Sequence, residues 1–288
     1  PFRAPTDNDA HSPLVLGKQN WFTKQYDHPK RTCLEVRQGN GAEEPSLVYT
    51  TAYQTEKDNF YVTIGLWQAG QNRIFIDCNV QSPAEMLSPG RIGMTAILPV
   101  RFTAMNWYGK GPLETYPDRQ CGGRMGVYSE DVRNQPFYLR PQEYGLHTES
   151  RSMRLTDPDR ADFVRFEAAC PMAMSAVPYS DLQLWNARHP PELPAPEALY
   201  VHLDYAHRGL GNSSCGPDVL PTYRIDDRPC RFGFALEAGL GEREDNPFGP
   251  IPEEIPAYHP WKAVGEQDRT PSYRDPSDPD QRSNAGMV

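Results

Sequence analysis

Apolar and polar side chains alternate with a period of two along the first 240 residues of the chain. Such runs, rich in β-branched and aromatic residues, predict strands at residues 47–53, 60–67, 73–78, 162–167, 200–205 and 230–236. A helical period hardly occurs. Residues 180–188 alone predict a short helix, which Ser180 and Asp181 begin and Pro190 and Pro191 end. The pattern therefore predicts an all-β fold, with two packed sheets rather than a closed barrel.

The composition changes near Leu240. Residues 241–288 contain eight prolines, many acidic and small polar residues, and few aliphatic ones. Such a segment cannot bury enough apolar surface to form a core. We therefore predict one domain at residues 1–240, followed by a Pro-rich acidic tail at residues 241–288 that is irregular or disordered.

Charge and cysteine content narrow the functional classes. The net charge of −9 and the lack of a basic stripe argue against a nucleic-acid partner. No apolar run reaches the roughly 18 residues that a membrane span needs. The six cysteines are widely spaced without a C-x-x-C pair, which indicates reduced thiols in a cytoplasmic protein. Five of the six lie in or beside stretches that look buried.

Common catalytic motifs are missing from the sequence. The histidines are not clustered at metal-ligand spacing, no G-x-S-x-G elbow occurs, and Gly209-Leu210-Gly211 lacks the third glycine of a dinucleotide loop. A pair of glycosidase carboxylates stays open at this point, because sequence spacing does not reveal the distance between two carboxylates.

Three other segments stand out because glycine, proline and short polar residues set sharp turns in them. The first is F-R-A-P-T-D-N-D at residues 2–9. The second is N-W-Y-G-K-G-P-L-E-T-Y-P-D-R at residues 106–119, followed by R-P-Q-E-Y-G at residues 140–145. The third, at residues 202–217, is H-L-D-Y-A-H-R-G-L-G-N-S-S-C-G-P.

These segments supply four motifs that resemble, in order and spacing, the small-chain domain (domain 5) of the β-galactosidases of glycoside hydrolase family 2. The motifs are R-A-P-T-D-N-D, N-W-x-G-x-G-P-x-E-x-Y-x-D-R, P-Q-E-x-G and G-L-G-x-x-S-C-G-P. The resemblance covers about residues 1–237. It implies a large antiparallel supersandwich, similar to the galactose mutarotase fold.

The resemblance also implies a division of labour. In the family, the catalytic glutamates of this retaining glycosidase lie on a TIM barrel, in the same polypeptide or in a large subunit, so no catalytic residue is expected in this chain. We expect that barrel as partner, a galactoside such as lactose as substrate, and an oligomer when complete. This chain should hold no cofactor, whereas the complete enzyme typically uses Mg and Na.

Two loops of the family's domain reach the mouth of the active site. A mobile lid would begin here near His11 and Ser12. A Gly-rich loop would form one wall, and the resemblance assigns substrate contact there to Asn212, Ser213, Ser214 and Cys215. Some relatives carry a tryptophan at the position of Cys215. A thiol offers a sugar ring a smaller contact than an aromatic face, so we expect altered binding of the acceptor sugar.

Other motif residues are expected to serve the fold. Trp107 would fill the core of the sandwich, and Asp118 with Arg119 would fix a turn by hydrogen bonds. Arg3 would pair with Asp7 or Asp9, and its loss would cost about 1–3 kcal/mol if the pair is buried.

Two further functions remain open from the sequence. One is a free-standing carbohydrate-binding module of mutarotase-like fold, which would bind galactose weakly. The other is a mutarotase-like enzyme, for which His202 and Glu143 are nominal acid and base candidates without support from their spacing.

Overall fold

The computed structural model of the chain describes residues 1–39, 44–56, 59–135, 138–211 and 218–241. Strands in these ranges are β1 Lys30–Gln38, β2 Leu47–Gln54, β3 Asn59–Gln68, β4 Arg73–Gln81, β5 Arg91–Pro99, β6 Ala104–Gly111, β7 Arg124–Asp131, β8 His147–Thr156, β9 Phe163–Val177, β10 Ala198–His207 and β11 Cys230–Gly239. The α-helices are α1 Asp7–Ala10, α2 Pro13–Leu16 and α3 Asp181–Asn186, and 3₁₀ turns cover Val132–Asn134, Pro190–Glu192 and Pro221–Tyr223. All six strands and the helix predicted from the sequence are confirmed.

Every strand pair is antiparallel, and the order runs β1-β2-β3-β4-β11-β9-β8-β6-β7, with β10 between β9 and β5. The 15-residue strand β9 joins the two parts of this arrangement. Its first residues, Phe163–Ala168, pair with β11, whereas residues 173–177 pair with β10. The prediction of an all-β antiparallel supersandwich is confirmed.

One hydrophobic core lies between the two parts of the sheet. It joins Ile76 on β4 and Phe234 on β11 to Ile92 on β5 and Val201 on β10. Along β6 every second side chain is buried, and two of these, Met105 and Trp107, belong to this core. Trp107 on β6 belongs to it with 1% of its surface exposed, as predicted, and its indole N–H donates to the carbonyl of Lys110 at 3.1 Å.

The cysteines are less buried than the sequence suggested. Cys33 and Cys121 are exposed, because Cys33 lies on the solvated strand β1 at the end of the sheet and Cys121 lies in the segment that joins β6 to β7. The five cysteines in the described ranges are all free thiols. Cys215 and the predicted tail beyond Gly241 lie outside the described residues.

In the part of the chain that the structure describes, no helix is long and apolar enough to cross a membrane.

Candidate functional site

Side-chain caps fold the opening motif into two consecutive short helices. Thr6 and Asp9 form a reciprocal capping box around α1, with the N–H of each residue donating to the side chain of the other. Ser12 caps α2: its hydroxyl accepts from the N–H of Leu14 at 3.1 Å and donates to the carbonyl of Asp9 at 2.8 Å. The path of the chain through this motif is therefore fixed by its own polar residues.

Arg3 ties the opening motif to the Gly-rich motif. Its guanidinium is fully buried and donates to both carboxylate oxygens of Asp9, at 3.0 and 3.1 Å. It also donates to the carbonyl of Arg208 at 2.5 Å and to that of Gly209 at 2.8 Å. The predicted pairing of Arg3 with Asp9 is confirmed, and the same side chain holds the end of β10 in place.

Asp118 of the second motif holds the Gly-rich motif from another side. Its carboxylate accepts the backbone N–H groups of Leu210, at 2.9 Å, and Gly211, at 2.8 Å. Gly211 has φ +91°, and a Cβ there would lie 2.0 Å from the amide nitrogen of Asn8. Glycine is therefore required at position 211, where the Gly-rich motif meets Asn8 of the opening motif.

Arg119 acts within its own turn, as predicted, where its backbone N–H and carbonyl pair with those of Tyr116 at 2.8 and 3.1 Å. Its guanidinium donates to the carboxylate of Glu114 and, at 3.2 Å, to the hydroxyl of Tyr138. The side chain is exposed, and its partners Glu114 and Tyr138 lie outside the Gly-rich motif.

The P-Q-E-x-G motif joins the same assembly through Gln142 and Glu143. The amide of Gln142 accepts the N–H of Asp7 at 3.0 Å and donates to the Asp7 carboxylate at 3.2 Å. The carboxylate of Glu143 accepts from the buried Arg91 on β5. All four motifs therefore converge at one place, although up to about 200 residues separate them in the sequence.

A buried cluster of charged groups lies beneath the motifs. Arg91 lies 3.2 Å from the carboxylate of Asp181 and 3.7 Å from that of Asp204, and His207 lies 3.6 Å from Glu143. Burial raises the pKa of Glu143, but the charge of Arg91 and the contact with His207 outweigh burial and lower the pKa to about 2. Burial raises the pKa of Asp204 to about 7 despite the nearby Arg91. The cluster thus holds one firmly ionised acid and one that titrates near neutrality.

Burial also determines what the histidines of this cluster can do. It lowers the pKa of His207 and takes that of His202 well below its usual value, so both rings are neutral at physiological pH. His202 also contacts Thr95 Oγ1 at 3.0 Å. His202 and Glu143, the nominal mutarotase pair, therefore lie in one buried cluster, but each is 4% exposed or less. The geometry favours a structural role for both.

The raised pKa of Asp204 predicts a pH-dependent stability. Between its usual value of 3.8 and about 7, the folded chain keeps a proton that the unfolded chain has released. This acid therefore contributes stability below pH 3.8 that is lost as pH rises towards 7. Relative to Asp204→Asn, the unfolding free energy of the parent should fall across this window by at most about 1.4 kcal/mol per pH unit.

Urea titrations at several pH values measure this difference. The control is Asp226→Asn, which removes an acid whose pKa is lowered by a hydrogen bond from Arg228; because this variant keeps Asp204, the difference between it and the parent should show no such fall. A constant difference between the parent and Asp204→Asn would contradict the assignment.

The structure describes two of the substrate-contact residues predicted from the sequence. His11 is exposed at the end of α1, and its Nδ1 lies 2.7 Å from the carbonyl of Asp7. Ser12 is 4% exposed, and its hydroxyl is engaged in capping α2. Asn212, Ser213, Ser214 and Cys215 lie outside the described residues. They directly follow Gly211, which Asp118 anchors. Substrate contact by all six residues stays a prediction.

Arg91 and Asp181 are central to the buried cluster, yet sequence reasoning did not single out their charges. Asp181 was interpreted only as part of a helix cap, and Arg91 follows an unremarkable Pro-Gly turn. The partners of Arg91 are distant in the sequence: Glu143 lies 52 residues away and Asp181 lies 90 residues away. No local signal could therefore have found them.

Within the described ranges, no group of three or more His, Cys, Asp or Glu side chains has the arrangement of a metal site. The described residues thus do not fit a Mg or Na site built from such groups.

The fold and the converging motifs define an antiparallel β-domain in which hydrogen bonds from buried polar side chains join the motif segments to one another. Comparison with known proteins gives its family. The family model described as "Beta galactosidase small chain" matches residues 1–236, and the chain belongs to this family.

Individual relatives agree with this family. The chain is 33% identical over 248 residues to a β-galactosidase of Arthrobacter sp. (strain B7), and the alignment covers 78% of this chain and 24% of the relative. It is 30% identical over 242 residues to β-galactosidase BgaC of Bifidobacterium adolescentis and 27% identical over 241 residues to a β-galactosidase of Staphylococcus xylosus. Each of these two alignments covers 82% of this chain and 23% of the relative. The chain thus spans about a quarter of the length of these relatives.

Among solved structures, the chain is similar to a putative aldose 1-epimerase from Escherichia coli K12. The TM-score is 0.38 at 10% identity, over 72% of this chain and 69% of that one.

Proposed function

We propose that the chain is the non-catalytic C-terminal domain or subunit of a β-galactosidase that hydrolyses terminal β-D-galactosides such as lactose. The observation that carries the proposal is the convergence of all four family motifs on one end of the fold, through Arg3, Asp118 and Gln142. The relatives support it, since each is a β-galactosidase of which this chain matches about a quarter.

In this proposal, the two catalytic carboxylates of a retaining mechanism lie on the partner, a TIM-barrel part of the same polypeptide or a large subunit. The state of the acids in the described part of the chain supports this placement. Glu143, Asp181 and Asp204 are enclosed in the buried cluster, and Glu114 is held by Arg119, Tyr138 and the N–H of Gly145. None of these four is presented to a substrate as one of a free pair.

The chain would contribute a lid and one wall to the shared active site. The exposed ring of His11 at the end of α1 would lie in the lid, and Ser12 beside it would cap the following helix, α2. Asn212, Ser213, Ser214 and Cys215 would form the wall, starting from the anchor that Asp118 provides. The wall would contact the sugar beyond the scissile bond.

Replacing Cys215 with tryptophan tests the wall. An indole would stack on the acceptor sugar, so the ratio of transglycosylation to hydrolysis should rise in the assembled enzyme. Product analysis by chromatography with lactose as substrate measures this ratio. The matched control is Cys33→Trp, on the exposed strand β1. An unchanged ratio in Cys215→Trp, or the same rise in both variants, would contradict the proposal that Cys215 lies in the wall that contacts the acceptor sugar.

The proposal includes a cytoplasmic location, which the five free thiols among the described residues support. It also includes Mg and Na in the complete enzyme, outside this chain, and an oligomeric assembly of that enzyme.

A further inference from the structure

Strand β5 is the last strand of its layer and has one open edge. Among the described residues it pairs with β10 alone, so no strand lies beside the backbone groups on its other side. It carries no charged residue from Ile92 to its end, and Ile97 is 65% exposed. Proteins protect such edges with charges, prolines, bulges or a covering segment, because an open edge pairs readily with another chain.

The exposed strand β1 shows these protections, whereas β5 lacks most of them. Strand β1 has lysine, arginine and glutamate side chains along its length, and its register shifts at a bulge between Cys33 and Glu35. On β5 the only such feature is Pro99, its last residue. The open edge of β5 is therefore expected to be covered by another segment.

The core is incompletely covered along this edge. Met94, Ala96 and Leu98 pack against the core from β5, yet each is only partly buried. Across the core, the Cys78 thiol on β4 lies 3.2 Å from the sulfur of Met94, so β5 lies opposite β4. The facing part of the sheet continues past β4 through β3 and β2, whereas the layer of β5 ends there.

The strands beyond β4 also have half-buried apolar side chains. At one end of β3, Phe60 is 4% exposed because Tyr26 packs on it. Further along, Val62 and Leu66 on β3 and Tyr49 on β2 pack against the core but remain partly buried. These side chains and those of β5 define an apolar groove beside β5 and opposite β3. We call it the β5 groove, and it lies where a further strand of the layer would be.

The described part of the chain ends close to the last residue of β5. The N–H of Gly241 donates to one carboxylate oxygen of Asp162 at 3.2 Å, and the guanidinium of Arg101 lies 3.9 Å from the other. Arg101 follows Pro99 by two positions. A segment beyond Gly241 can therefore return along β5 in the antiparallel direction, and residues 242–249 alone can span up to about 26 Å.

Residues 250–257, P-I-P-E-E-I-P-A, have the proline pattern of an edge strand. In an antiparallel pair, alternate residues direct their N–H groups to the neighbouring strand, and the residues between them direct theirs away. Proline has no N–H, so an edge strand tolerates it only at the outward positions. All prolines of this segment occupy even positions, 250, 252 and 256, so every odd position keeps its N–H for a neighbour.

The isoleucines of the same segment suit the β5 groove. Ile251 and Ile255 each precede a proline, which favours extended backbone. Their positions differ by four, so both side chains would lie on one face of a strand. Glu253 shares that face, and inward charges and prolines are devices that end a sheet without inviting a further strand.

We propose that residues 250–257 form an antiparallel strand on the open edge of β5, with Ile251 and Ile255 in the β5 groove. A segment tethered at Gly241 has an effective concentration on the order of millimolar, which favours it over a second copy of the chain. The strand lies beyond the family match of residues 1–236 and does not depend on the proposed function. The tail predicted to be irregular would then begin after residue 257.

Hydrogen exchange of the full chain, followed by NMR at single residues, tests the proposal. The N–H groups of β5 that point away from β10 should exchange slowly, as should those of residues 251, 253 and 255. Two adjacent glutamates provide matched variants. Glu253→Pro removes an N–H that points to β5 and should speed exchange on both strands by about tenfold or more. Glu254→Pro removes one that points to solvent and should leave exchange close to that of the parent.

Four outcomes would overturn the proposal. Fast exchange along the outer side of β5 in the parent would show that the edge is open. Slow exchange there that survives in Glu253→Pro would assign the cover to another segment, and equal losses in both variants would contradict pairing through the odd positions. Slow exchange that is lost on dilution, with dimers in sedimentation equilibrium, would make a second copy the occupant. Exchange in β9, which should stay unchanged throughout, separates these local effects from unfolding.

Discussion

Replacing Arg3 with alanine is expected to lower the free energy of unfolding of the chain by about 3–5 kcal/mol. The guanidinium is fully buried and donates to both oxygens of Asp9 and to the carbonyls of Arg208 and Gly209. Its removal would leave the Asp9 carboxylate, which is 1% exposed, buried without its cationic partner. This exceeds the 1–3 kcal/mol expected from the sequence, because the pair proves to be part of a larger buried network.

Urea denaturation followed by tryptophan fluorescence measures this loss. Arg133→Ala is the matched control: this arginine also bonds both oxygens of an aspartate, Asp131, but lies on the surface. Exposed pairs contribute at most about 1 kcal/mol, so this variant should stay close to the parent. Equal effects of the two substitutions would refute the assignment of Arg3 as the link between the motifs.

Replacing Asp118 with alanine is expected to lower kcat/KM for a galactoside by tenfold or more in the assembled enzyme. The carboxylate holds the N–H groups of Leu210 and Gly211, and hydrogen bonds to charged groups contribute about 1.5–3 kcal/mol each. Without them, the residues that follow, including Cys215 of the proposed wall, would lose their fixed starting point. Asp118→Asn keeps one acceptor oxygen and should fall between the parent and Asp118→Ala.

Steady-state kinetics well below the melting temperature separates this effect from unfolding. The control is Asp226→Ala, which removes a surface aspartate that bonds Arg228 in a turn away from the motifs. A role in positioning the wall requires a fall in kcat/KM without a comparable fall in the control. If Asp118→Ala melts earlier but keeps the parent kinetics, its bonds serve stability alone.

Local patterns in the sequence predicted the strands that carry the core. Residues 73–78 and 230–236 were predicted within a few residues because they are rich in aromatic and aliphatic side chains, and the centres of β4 and β11 are buried on both faces. Strand β1 was not predicted, because it is exposed along nearly its whole length and its charged residues hide the alternation. Strand β6 carries motif residues, whose glycines do not resemble a core strand.

The same contrast holds at the site. The pairing of Arg3 with Asp9 spans six residues and could be predicted from charge and spacing. The partners of Asp118 lie 92 and 93 residues away, so the sequence placed this residue in a local turn but could not reveal that it holds the Gly-rich motif.

A chimeric enzyme tests the central claim most directly. In the β-galactosidase of Arthrobacter sp. (strain B7), the quarter that matches this chain would be deleted or replaced by it, and hydrolysis of a chromogenic galactoside would be measured. We predict no hydrolysis by this chain alone, little by the deleted enzyme, and restored hydrolysis by the chimera. Hydrolysis by the chain alone, or full activity of the deleted enzyme, would contradict its role as a non-catalytic but required part of a β-galactosidase.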